Sequence, residues 1–116
     1  MKTFGSHMVG VDQGEEMLFA DYESGGQMWT GSGARARRKA VKFSERFRRT
    51  PSVLVSITMW DTDCGANARM DLAAERITPE GFDLVFRTWA DTRVAQVRLA
   101  WMAIGEAAHE DDWDLY

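Results

Sequence analysis

Four carboxylates, Asp61, Asp63, Asp71 and Glu75, fall within one short stretch of the chain. Two carboxyl groups held a fixed distance apart can hydrolyse a glycosidic bond, one as the acid and the other as base or nucleophile. Nothing in their spacing sets a separation or places one in apolar surroundings that would raise its pKa, so the chain is read as non-enzymatic. Asp61-x-Asp63-x-Gly65-x-Asn67 has the oxygen-rich alternation of a calcium loop. It lacks the bidentate glutamate at the required distance, so neither a metal nor a cofactor is expected. His7 and His109 stand in terminal segments with no serine or cysteine motif nearby, which gives nucleophilic catalysis no support. Cys64, the only cysteine, excludes an internal disulfide and a cysteine-based zinc site within one chain, and it fits a reducing compartment.

The chain is 116 residues long, enough for one domain with a real core, and its 45% hydrophobic and 11% aromatic content excludes a disordered polymer. A net charge of −4 argues against nucleic acid as the main partner. The charge is nonetheless segregated. Arg35, Arg37, Arg38, Lys39, Lys42, Arg46, Arg48 and Arg49 form a basic run, and Glu106 to Asp114 is acidic. Blocks of opposite sign can meet within the molecule or between subunits; pairing with an acidic patch of the next subunit is the expected use here. No apolar run reaches signal-peptide or membrane-span length, so membrane insertion is not expected. That leaves a cytoplasmic protein, one released non-classically, or part of a particle. Gly5-Ser6-His7-Met8 matches a common expression scar, and the chain continues smoothly from it into Val9-Gly10-Val11.

The elements that must position any site are strands. Residues 1–33 hold most of the turn signals (Gly10, Gly14, Gly25-Gly26, Gly31 and Gly33) and read as an arm of loops with one short strand over Glu16 to Tyr22. Regular alternation begins at Lys39. Val53, Val55, Ile57 and Met59 share one face of the clearest strand, and Trp60 falls on the other. Met70, Leu72 and Ala74 also alternate, although a helix over Ala68 to Arg76 competes by propensity. Phe82, Leu84, Phe86 and Thr88 form a further inward face, Ala90-Asp91-Thr92 turns the chain, and Val97, Leu99, Trp101 and Ala103 build the last strand. Short strands between turns with no sustained helical period predict an all-β antiparallel sandwich over residues 34–105, with an acidic tail over 106–116. Trp101 keeps inward parity and is predicted to be core. Trp29, Trp60 and Trp113 are expected at subunit contacts or anchoring the tail, and Trp89, beside the turn after the inward series ends, is expected to be exposed.

Several features recur in order from about Lys39 to Gly105. Pro51 precedes a strand reading Val-Leu-Val-Ser-Ile, Asp61 follows that strand, and Asn67-x-Arg69 opens the next. Ile77-Thr78-x-x-Gly81-Phe82 turns into a strand ended by Thr88-Trp89-x-Asp91-Thr92, and Trp101-x-Ala103-Ile104-Gly105 closes the set. This ordered set resembles the H-type lectins, the carbohydrate-binding family of snail agglutinins and discoidin C-terminal domains. The resemblance implies a six-stranded antiparallel β-sandwich that self-associates as a homotrimer, or as a hexamer of stacked trimers. It also implies metal-free binding of glycans of the galactose or N-acetylgalactosamine type in clefts at subunit boundaries. The residues matching Arg69 and Trp89 line that cleft in the family. Their chemistry suits the ligand, because the C–H face of a pyranose packs on an aromatic ring and a guanidinium fork donates to adjacent hydroxyls. The sequence departs from the family in two places. Ser32, flanked by Gly31 and Gly33, stands where the agglutinins place an aspartate acceptor, and Ala90 follows the tryptophan. Asp21, Glu23 or Asp91 could supply the acceptor instead, and Arg69 could bridge Asp61 or Asp71. The candidate ligand-binding set is Arg69, Trp89, Ser32, Gly31, Asp91 and Asp61. The competing reading is a non-catalytic structural oligomerisation module of a larger fibre or phage-like particle, which the substitutions at Ser32 and Ala90 favour.

Overall fold

The computed structural model describes residues 1–5 and 8–108; His7, His109, Trp113 and the remainder of the acidic tail lie outside them. Six strands make two three-stranded antiparallel sheets: β1 (Val9–Phe19), β2 (Arg35–Lys42), β3 (Ser52–Thr62), β4 (Met70–Glu75), β5 (Gly81–Thr88) and β6 (Val94–Glu106). The sheet orders are β1-β6-β3 and β2-β5-β4. The single-turn helices α1 (Asp21–Ser24) and α2 (Gln27–Thr30) lie in the connection between β1 and β2. This is the six-stranded antiparallel sandwich that the alternation and the resemblance imply.

The inward residues read from period two are those that fill it. Phe82, Leu84, Phe86, Val97, Leu99, Trp101 and Ala103 are buried in one cluster, with Val53, Val55 and Ile57 packed against it. Trp101 meets Phe82 edge-on at 5.5 Å and Phe43 at 5.9 Å between ring centroids. The segment from Met70 to Glu75 is a strand rather than a helix. Its residues pair with β5 from Met70↔Thr88 to Glu75↔Asp83, and this ladder outweighs the weak helical preference of Met, Leu and Ala.

The N-terminal region differs most from expectation. The first strand runs from Val9 to Phe19, rather than from Glu16 to Tyr22, and pairs with β6 over nearly all of that length. Gly10 and Gly14 are strand residues there, not turns. A Cβ on Gly14 would stand 2.7 Å from Nε1 of Trp101, so the glycine exists to let a large core ring approach the backbone.

Much of the basic run finds partners within the chain. Arg37 pairs with Asp21 at 2.7 Å, Arg38 with Glu75 and Asp83 at 3.0 Å, Lys39 with Glu16 at 2.6 Å, and Arg46 with Glu80 at 2.9 Å. The topology brings each of these four cations opposite an acid distant in sequence.

The antiparallel registers bring three connections to one end of the sandwich. Residues 20–34, 63–69 and 89–93 each leave a strand of one sheet and enter a strand of the other there.

Candidate functional site

The site is built at that end, outward from Thr88. Thr88 and Thr92 are both buried. The Thr88 hydroxyl donates to the Arg69 carbonyl at 2.6 Å, and Thr92 Oγ1 accepts the Arg69 N–H at 3.0 Å while donating to the Asn67 carbonyl. Two hydroxyls thereby clip the segment before β4 onto the end of β5. Between them Ala90 takes a φ of +59°, in the left-handed region. This conformation is unfavourable for alanine by about 1 kcal/mol, and the surrounding bonds hold it in place.

Arg35 supplies most of those bonds. It is only 5% exposed. Its Nε donates to the Gly33 carbonyl at 2.9 Å, Nη1 to Met28 at 3.2 Å and Gln27 at 3.4 Å, and Nη2 to Thr92 at 2.6 Å and Ala90 at 3.5 Å. One guanidinium fork thus ties the end of α2 and the 31–33 loop to the 89–92 turn. Gly33 N–H adds a bond to the Ala90 carbonyl at 2.9 Å. Arg93 acts similarly on the far side: it stacks over Trp29 at 4.2 Å, donates to the Trp29 carbonyl at 2.8 Å, and pairs with Asp63 at 2.9 Å.

On this frame the outer face of the β2-β5-β4 sheet carries two rows. Ala36, Arg87 and Asp71 are aligned across the three strands. One step beyond the last paired row, Ala34, Trp89 and Arg69 fall on the same face. Trp89 is 43% exposed, and the small side chains of Ala34 and Ala36 leave beside it an open depression of about 270 Å³, also lined by Arg35, Arg87 and Thr88.

The sequence-derived candidates separate into three groups. Trp89, Arg69 and Asp91 come together: Arg69 Nη1 donates to Asp91 Oδ1 in an exposed ion pair. Gly31 and Ser32 lie in the loop that Arg35 and Gly33 fasten to that turn, with Ser32 exposed. Asp61 does not join them. It sits on β3 of the other sheet and accepts a bond from Gln96 at 3.4 Å. Arg69 pairs with Asp91 rather than Asp61 or Asp71. The proposed substitute acceptors also divide: Asp21 is buried, bonded to the Met28 N–H and Arg37, while Glu23 accepts the Tyr22 hydroxyl. Sequence reasoning missed Arg35, Thr88, Thr92 and Arg93 as supports. For Arg35 a signal existed, since parity running back from Val41 puts it on the inward face.

Desolvation pushes the Asp91 carboxyl up, but backbone N–H donors of Asp91 and Asn67 and the Arg69 guanidinium together outweigh it, and the group titrates below the usual aspartate value. A depressed carboxyl stabilises the fold above its ordinary pKa and loses that contribution as the pH falls through the lower folded value. The Arg69–Asp91 pair is therefore intact at neutral pH and releases as the pH falls through that lowered value. A carboxyl-detected NMR titration should place Asp91 below the exposed aspartates, and Arg69→Gln should raise it. A midpoint unchanged by that substitution would show that Arg69 does not hold the group.

The H-type lectin domain model matches residues 38–104. The chain belongs to the H-type lectin domain family. An "ATP synthase subunits region ORF 7" protein of Fuscovulum blasticum is 54% identical over 107 residues, covering 92% of this chain and 93% of that one. A discoidin-1 polypeptide of Dictyostelium discoideum is 36% identical over 75 residues, covering 64% of this chain and 30% of the discoidin. The structure of discoidin II from the same organism superposes with a TM-score of 0.75 at 25% identity, over 93% of this chain and 40% of that chain. The chain thus spans less than half the length of the discoidins it matches. Membership makes it a lectin-type, carbohydrate-binding module, and the family model's span takes in Arg69, Trp89 and Asp91 but begins after Gly31 and Ser32.

Proposed function

We propose that this protein is a non-catalytic lectin domain that holds a pyranose over Trp89. The observation carrying this reading is the exposed indole in one row with Arg69, on a face kept open by Ala34 and Ala36. The ring supplies an apolar platform for the sugar's C–H face, and the guanidinium keeps Nε and Nη2 clear of the Asp91 bond for hydroxyls. Galactose-type sugars are the first class to test, since the family resemblance implies them. A depression this open suits a cleft completed by a neighbouring protomer. One such cleft alone binds on the order of millimolar, about −4 kcal/mol, and several linked sites can raise avidity roughly 10²–10⁴-fold.

Self-association has a surface to act through. The outer face of the β1-β6-β3 sheet exposes Val9, Val11, Leu54, Met102 and Ile104, with Leu54 74% exposed and in register with Met102. A contiguous apolar face of this kind marks an interaction site, and a homotrimer or stacked trimers would cover it. The double variant Leu54→Glu/Met102→Glu should shift the light-scattering mass to that of the monomer and lower binding to multivalent glycan without unfolding the domain. An unchanged mass would place the contact between protomers elsewhere.

A glycan array probed with the wild-type oligomer tests the lectin reading. Binding to a defined set of glycans is expected. The absence of binding across a broad panel by a verified oligomer would sink it and leave the assembly-module reading, which the same apolar face supports.

A further inference from the structure

Resting on that lectin reading, we infer that Asp71 is the hydroxyl-proton acceptor of the cleft and that it selects neutral over acidic sugars. A pyranose hydroxyl both donates and accepts, so a site of arginine donors and an indole is incomplete without an acceptor. The Ser32 side chain offers only a neutral hydroxyl, a weaker acceptor than a carboxylate. Asp91 is engaged by Arg69 and by backbone N–H groups, Asp21 is buried, and Glu75 accepts from both Arg38 and Arg87. Asp71 differs from all of them. It shares the outer face with Trp89 and Arg69, lies in register with Arg87, and its side chain is 55% exposed. Arg87 is anchored on Glu75 at 2.8 Å and stands 3.8 Å from Asp71, beyond hydrogen-bond range. Among the described residues no hydrogen bond reaches the Asp71 carboxylate, so its lone pairs are open to a ligand.

The placement fits a single sugar ring. Asp71 is the diagonal cross-strand neighbour of Trp89, a separation of about 7–8 Å between Cα atoms, and Arg69 stands two residues before it on the same face. A pyranose stacked on the indole would turn one edge towards both, with the guanidinium donating to one hydroxyl and the carboxylate accepting from the next. Asp91 is offset by Arg69, so repulsion of a uronate or sulfate at that edge falls to the Asp71 carboxylate, and discrimination against acidic sugars follows from it.

The test compares wild-type, Asp71→Asn, Asp71→Ala, Glu75→Gln and Trp89→Ala proteins on an array with neutral, uronate-bearing and sulfated galactosides. Soluble methyl β-galactopyranoside serves as competitor, and thermal midpoints control for folding. Both Asp71 variants should weaken neutral-sugar binding about tenfold and narrow the gap between neutral and acidic arms, while Glu75→Gln, which loosens Arg87 from outside the cleft, leaves neutral binding intact. If Glu75→Gln loses as much as Asp71→Asn, the carboxylate acts only by steadying Arg87, and direct acceptance is overturned. If Trp89→Ala loses binding while both Asp71 variants keep it, Asp71 is not the acceptor, although the lectin reading stands. No binding by wild type on any arm overturns both.

Discussion

Replacing Trp89 with alanine should take glycan binding below detection while leaving the thermal midpoint almost unchanged. The indole projects from the outer face of its sheet and is 43% exposed, so its removal opens no core cavity. What it loses is the platform under the sugar, worth about 2 kcal/mol or roughly 30-fold. From a single-site affinity already on the order of millimolar, that loss is enough to abolish a measurable signal. Trp89→Phe keeps a smaller ring and should retain part of the affinity. Titration calorimetry with a multivalent glycan would separate these outcomes. Trp60 is the natural control: it is 57% exposed on β3, in the other sheet. If Trp60→Ala abolished binding and Trp89→Ala did not, the cleft would have to move to that sheet.

The largest stability loss should come from Arg35→Ala. Its guanidinium is buried and donates to five carbonyls, of Gln27, Met28, Gly33, Ala90 and Thr92. Removing it strands those acceptors at the loop end. Hydrogen bonds to a charged donor are the strong kind, so a total of about 3 kcal/mol is expected. That is a large share of a stability of order 5–15 kcal/mol. For a domain of this size it corresponds to a fall of about 12 °C in thermal midpoint. Arg35→Lys keeps the charge but replaces a planar fork with one ammonium, which cannot reach carbonyls on both sides, and it should recover only a fraction. Hydrogen exchange should show the loss concentrated in residues 27–33 and 89–92, with glycan binding falling as the Trp89 turn loosens. A midpoint unchanged in Arg35→Ala would mean that the two loops are held by packing instead.

The sheet residues were legible because burial on a strand follows a local rule. Val53, Val55 and Ile57, or Phe82, Leu84 and Phe86, announce an inward face by alternation alone, and Trp101 could be assigned to the core in the same way. The first strand was not legible, because Gly10 and Gly14 look like punctuation. Only the indole of Trp101 across the core explains why Gly14 carries no side chain. The site was half legible. Trp89 could be read as exposed from its place after an inward series, whereas Asp61, equally plausible in sequence, ends on the other sheet.

What the sequence determined by itself was the all-β class, the inward face of the central strands and the family motifs from Lys39 to Gly105. These depend on residues a few positions apart, whose relation the pleat of a strand dictates. The tertiary structure decided which charge meets which. Arg69 reaches Asp91 across 22 positions and Arg35 reaches Thr92 across 57, and Arg37, Arg38, Lys39 and Arg46 find their acids within the chain. A salt bridge or a carbonyl acceptor has no period, so its partner is set by the crossing of loops between two sheets. The pairing of β4 with β5, in turn, set Asp71 on the same outer face as Trp89.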